Sequence, residues 1–211
     1  MPRPTVLLNG VRTLAGRTLA PAFREAGYYT VGLDRVDKYD YACDRFVQFD
    51  TVRYATDTDY RIRFSTILDQ LLPEVAVLVH AVPVYEFSDT TGLSLSTWAA
   101  FHDGHLAGPL LLAQLVLPKL GTAGGLQLVC APLEAPDDTN DREATPLLTA
   151  GTRLLYEAAQ LQSGTAVRTV GLYPATPGKD VAQQLAATAV FLASAEGRAV
   201  RHAWWPVHPN D

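Results

Sequence analysis

The chain has 211 residues, 48% of them hydrophobic and 18% charged, with a formal net charge of −5 and a pI of about 5.5. That balance builds one domain with its own core and excludes a disordered chain. It also excludes a nucleic-acid surface, which needs a concentrated basic patch, and no apolar run reaches the roughly 18–20 residues of a membrane span.

Met1-Pro2-Arg3-Pro4 leads straight into a strand-like run with no signal peptide, so a cytoplasmic protein is expected. Cys43 and Cys130 form neither a disulfide framework nor a paired metal motif. Cys130 ends an apolar run and reads as a small buried hydrophobe. Short apolar runs then alternate with helical patterns. Thr5–Leu8 reads as a strand and Leu14–Ala26 as a helix stopped by Gly27. Tyr29–Leu33 and Arg45–Gln48 read as strands, and Asp59–Leu72 as a helix closed by Pro73. Val75–Val79 is a continuous apolar strand, as expected where both faces of a sheet are covered. A long helix lies within Ser94–Leu120, followed by a strand at Leu126–Cys130. Helix Thr145–Gln162, strand Val167–Tyr173 and helix Asp180–Ser194 follow. Ala203–Val207 is an edge strand, because Pro206 cannot donate to a ladder. Alternating strands and helices predict a single α/β domain over residues 1–211, a mostly parallel sheet with helices on both faces. The polar run 137–143 reads as a solvated loop.

The first strand-to-helix turn, Asn9-Gly10-Val11-Arg12-Thr13-Leu14-Ala15-Gly16-Arg17, is nearly a dinucleotide-binding turn. Glycines there let the backbone pass close to a pyrophosphate at a helix N-terminus. Gly10 and Gly16 are present, but Leu14 stands where a middle glycine is expected. Arg12 or Arg17 would offset the loss by pairing with phosphate. Asp34 follows the second strand, where an acid takes ribose hydroxyls. Arg35 beside it suits a 2′-phosphate, which leaves NAD against NADP open. Asp50-Thr51 sits where an adenine edge would lie. A plain turn with aspartates at strand ends is the alternative for all of these.

Taken in order, these segments resemble the short-chain dehydrogenase/reductase family over nearly the whole chain. NGVRTLAGRTLA is similar to the family's glycine-rich turn, and LDR and FDT to the ends of its second and third strands. VLVHAVP resembles its NNAG segment, HLAGPLLLAQ its long interface helix, VRTVGLYPA its sixth strand and DVAQQLAATAVFLAS its last helix. The resemblance implies a seven-stranded, doubly wound Rossmann-like sheet, commonly in dimers or tetramers. It also implies carbonyl or alcohol chemistry by hydride transfer with NAD(P): a Tyr as acid/base, a Lys four residues on, a Ser and a helix Asn.

A phenol with a pKa of about 10 needs a neighbouring cation to work near neutrality. The family supplies it as a lysine, and no tyrosine here has a lysine at +4. Tyr28, Tyr29, Tyr39, Tyr41 and Tyr54 meet Gly32, Leu33, Cys43, Arg45 and Thr58. Tyr60, Tyr85, Tyr156 and Tyr173 meet Phe64, Asp89, Gln160 and Pro177. Counting back from Pro174, the family's Tyr and Lys positions fall near Thr145 and Thr149, its Ser near Ala131 and its Asn near His105. The lysines, Lys38, Lys119 and Lys179, lie elsewhere. The stretch from Pro174 to Asp180 is also too short for a substrate lid. His80-Ala81-Val82-Pro83 departs from NNAG by placing an imidazole beside the nicotinamide path. His102 and His105, three apart with Asp103 between, would share a helix face and, with His80, a metal; satisfied buried histidines are the alternative. No metal is expected, and Cys130 carries no sequence sign of a lowered pKa.

Two readings follow. The first is a pseudoenzyme that keeps the fold for assembly, stabilisation or regulation. It would act as a homo- or hetero-oligomer with its own kind or an active paralogue, through the helix at Trp98–Leu120 and the tail with Trp204 and Trp205. It would carry no cofactor or a residual NAD(H) or NADP(H) on Gly10, Arg12, Gly16, Asp34 and Asp50. The second is an NAD(P)H-dependent reductase with a non-standard mechanism, its proton supplied by the substrate or by water relayed at His105.

Overall fold

A computed structural model describes residues 3–36, 42–81, 94–120, 125–133, 144–164, 167–175 and 180–208. Seven strands, β1 (Thr5–Asn9), β2 (Tyr29–Asp34), β3 (Arg45–Gln48), β4 (Val77–Ala81), β5 (Leu126–Cys130), β6 (Arg168–Pro174) and β7 (Ala203–Val207), form one sheet. Their order is β3-β2-β1-β4-β5-β6-β7, and every pair is parallel. The order reverses between β1 and β4, and such a switch point opens a crevice at the C-terminal strand ends.

Two layers of helix cover the sheet. On one face lie α1 (Leu14–Glu25) and α7 (Val181–Ala193), whose Leu19, Phe23, Leu185 and Leu192 pack on Val6, Leu8, Val79, Leu128 and Val170. On the other lie α3 (Thr58–Leu71), α5 (Gly108–Val116) and α6 (Ala144–Ser163). There Phe64, Leu68, Leu112 and Val116 cover Leu7, Leu33 and Leu78, while Leu155 and Ala159 cover Val129. Burying each such side chain stabilises by about 1.5–3 kcal/mol, an upper figure because the unfolded chain is itself partly collapsed.

Two helices differ from the sequence expectation. The helix expected at Asp59–Leu72 is preceded by a separate one, α2 (Thr51–Thr56). Asp57 breaks the two apart, with an extended backbone at φ −107°. Its carboxylate accepts from the Tyr60 N–H, and Asp50 accepts likewise from the Arg53 N–H, so each helix has its own cap. The long helix within Ser94–Leu120 is also not continuous. It runs as α4 (Leu95–His102), a π turn (Asp103–Ala107) and α5, then ends in a 3₁₀ turn at Leu117–Lys119. Pro109 lacks the N–H that would bond to His105, and the Gly108 N–H reaches back five residues to the Asp103 carbonyl instead. Gly108 also admits α2: a Cβ there would lie 2.4 Å from the Thr51 carbonyl oxygen.

Candidate functional site

The turn between β1 and α1 sits at the switch point and is built from internal hydrogen bonds. Gly10 and Val11 donate to the Leu33 carbonyl at 2.9 and 3.3 Å, so the turn hangs from the end of β2. Thr13 caps α1: its hydroxyl donates to the Gly10 carbonyl at 2.9 Å and accepts from the Gly16 N–H at 3.0 Å. Both glycines are required by contact. Gly10 has φ +90°, and a Cβ on it would stand 1.9 Å from the Ala81 carbonyl oxygen of β4. A Cβ on Gly16 would stand 2.2 Å from the Gly10 carbonyl oxygen.

Asp34 closes the turn from the β2 side. One carboxylate oxygen accepts from the Arg12 N–H at 3.0 Å and the other from the Arg35 N–H at 2.8 Å. A carboxylate has about four acceptor positions, so two remain for a ligand hydroxyl. Gly10, Arg12, Gly16 and Asp34 are thus brought together. Asp50 caps α2 with its side chain, its N–H bonds to the Tyr60 hydroxyl at 2.9 Å, and the Phe49 N–H before it donates to the Asp34 carbonyl at 2.7 Å. Leu14, at the first position of α1, is 36% exposed, so its side chain stands outside the core at the helix end that would face a phosphate.

A second cluster lies under the C-terminal end of β4, on the α6 face. Thr169 donates to Ser163 at 3.2 Å, the Ser163 hydroxyl proton is shared between the Ala159 carbonyl at 2.8 Å and the Gln127 amide oxygen at 3.0 Å, and the Gln127 amide N–H donates to Nε2 of His80 at 3.1 Å. All four residues are buried. An amide N–H can only donate, which leaves Nε2 as acceptor and the ring proton on Nδ1. That Nδ1 has no hydrogen-bond partner among the described residues. Burial pushes the His80 pKa down to about 3, so the ring is neutral near pH 7. The sequence carried a sign of this chain that pattern reading passed over: His80 and Gln127 are polar interruptions in otherwise apolar strands.

No family model and no curated protein matches the sequence. Solved structures match along nearly its full length. An aldohexose dehydrogenase of Thermoplasma acidophilum is 16% identical, with a TM-score of 0.74, over 98% of this chain and 93% of that one. A 4-hydroxyisoleucine dehydrogenase, solved with NADH and succinate, is 17% identical, with a TM-score of 0.75, over 97% and 98%. A short chain dehydrogenase/reductase family protein is 17% identical, with a TM-score of 0.72, over 98% and 96%. The chain has the short-chain dehydrogenase/reductase fold.

The residues read above as lying near the family's catalytic positions have surroundings of their own in this fold. Ala131 directly follows β5, buried, its N–H on the Leu172 carbonyl at 2.8 Å, and offers no hydroxyl. His105 sits in the π turn, fully buried and stacked on Phe101; burial pushes its pKa down to about 3. Thr149 is half-buried on α6, and Thr145 lies on the same helix, its side chain outside the described residues. The expected shared face of His102 and His105 is not formed. His102 is exposed, its Nδ1 on Asp103 at 3.0 Å, because the π turn rotates His105 into the interior. Among the described residues no three His, Cys, Asp or Glu side chains meet at metal distance. Cys130 is buried and its thiol pKa pushed up to about 12, which removes it as a nucleophile. The segments after Ala81 and Ala175, read above as a departure from NNAG and as a lid too short to close, lie outside the described residues, as does the polar run 137–143.

Beside these positions α4 and α6 form an open apolar cleft of about 520 Å³, walled by Trp98, Phe101, Leu106, Gly151 and Leu154. Leu95, Trp98, Leu154 and Leu161 are exposed large apolar side chains on these two helices. Trp205 is exposed on β7, and Trp204 packs between Tyr156 and Tyr173. No helix among the described residues is long and apolar enough to cross a membrane.

Proposed function

We propose that this chain is a catalytically degenerate short-chain dehydrogenase/reductase-fold protein that acts as an assembling, stabilising or regulatory subunit, with itself or with an active relative. The observation that supports the reading is that the family's proton-transfer groups are not found where the sequence resemblance places them. No tyrosine precedes a lysine by four, Ala131, near the expected serine, is buried, and His105, near the expected asparagine, is an imidazole held neutral inside the core. A phenol without an adjacent ammonium stays protonated near neutrality and is a poor base. What remains is surface. Trp98, Leu154 and Leu161 leave apolar area on α4 and α6 that association would remove from water. Two measurements test it together. Light scattering is expected to find a dimer or larger species, and NADH or NADPH oxidation is expected to stay at background across ketone, aldehyde and enone substrates. A strict monomer that copurifies with nothing, or steady turnover of any carbonyl, would sink the proposal.

A second reading, an NAD(P)H-dependent oxidoreductase with a non-standard mechanism, is favoured by the first turn. Gly10 and Gly16 keep the tight strand-to-helix turn of a dinucleotide site, packed on Ala81 and on the turn itself, and Asp34 keeps free acceptor positions for ribose hydroxyls. These residues and Arg12 would hold the nucleotide, which when bound supplies the hydride. Leu14 stands against it. Calorimetry with NADH and NADPH separates the readings: binding at micromolar concentration supports the second, and none at millimolar concentration removes it.

A further inference from the structure

We draw no further inference here: the strongest candidate, the open apolar cleft between α4 and α6 walled by Trp98, Phe101, Leu106, Gly151 and Leu154, belongs to the face already proposed for assembly, and nothing in the structure shows what covers it.

Discussion

The imidazole of His105 lies on the ring of Phe101, centroids 4.6 Å apart and planes 20° from parallel, against Gly151 of α6. A Cβ on Gly151 would stand 2.8 Å from Phe101 and 3.4 Å from His105, so the glycine is what lets α6 press on the pair. His105, expected near the family's helix asparagine, serves packing here.

The two buried histidines set a pH dependence of stability. Each has a folded pKa of about 3 against 6.5 when exposed. Below pH 6.5 the unfolded chain takes up protons that the folded chain refuses. Stability therefore falls as pH falls, by about 1.4 kcal/mol per pH unit for each ring, until about pH 3. Urea unfolding at pH 7.0 and 5.5 measures it. His105→Phe is expected to flatten the slope between those points, and a slope unchanged by that substitution would show that the ring is not held neutral.

Gly10 and Gly27 have nearly the same left-handed backbone, φ +90° and +88°, in different surroundings. A Cβ on Gly10 meets the Ala81 carbonyl, whereas one on Gly27 meets nothing within 4 Å. Gly27→Ala is expected to cost about 1 kcal/mol, the conformational term alone. Gly10→Ala is expected to cost about 3 kcal/mol or more, because the obstacle is backbone in a central strand. Chemical denaturation of both variants gives the difference, and equal costs would mean that β4 yields.

Leu14→Gly restores the missing glycine of the first turn. NADH affinity measured by calorimetry is expected to rise at least about tenfold, a change of 1.4 kcal/mol. A Gly at the helix start costs up to about 1 kcal/mol of stability, so the variant should remain folded. Unchanged affinity would show that Leu14 is not the obstacle.

Trp98→Glu and Leu154→Glu place charges on the exposed apolar faces of α4 and α6. Both are expected to shift the oligomer towards monomer in light scattering while leaving the far-ultraviolet spectrum unchanged. Phe191→Glu, on α7, serves as the control for a face the proposal does not use. An oligomer unaffected by the first two variants would place the interface elsewhere.

Much of the fold was legible because its signals are local. β5 was read to the residue, since Leu126–Cys130 is an apolar run, broken by Gln127 alone, between Gly125 and the Ala131-Pro132 pair. Gly27 stops α1 as expected, in the left-handed conformation of a helix end. Helix α2 was missed because its six residues carry little periodicity, although Asp50 is a capping signal. The break in the helix after α4 was missed because Pro109 after Gly108 reads as tolerable within an apolar run. Only the hydrogen bond from Gly108 to Asp103 makes the extra residue visible.

The order of apolar and polar residues, acting through neighbours along the chain, settled that this polypeptide is an alternating α/β domain, and the residue inventory alone settled that no tyrosine precedes a lysine by four. Which polar groups meet was decided by the strand order. His80, Gln127 and Thr169 come from three strands far apart in sequence, and a parallel register lines them under one helix. Arg168 of β6 donates to the Leu192 carbonyl of α7 for the same reason. Hydrogen bonds and charges act over a few ångströms of space, and distance along a chain carries no record of that until the sheet is built.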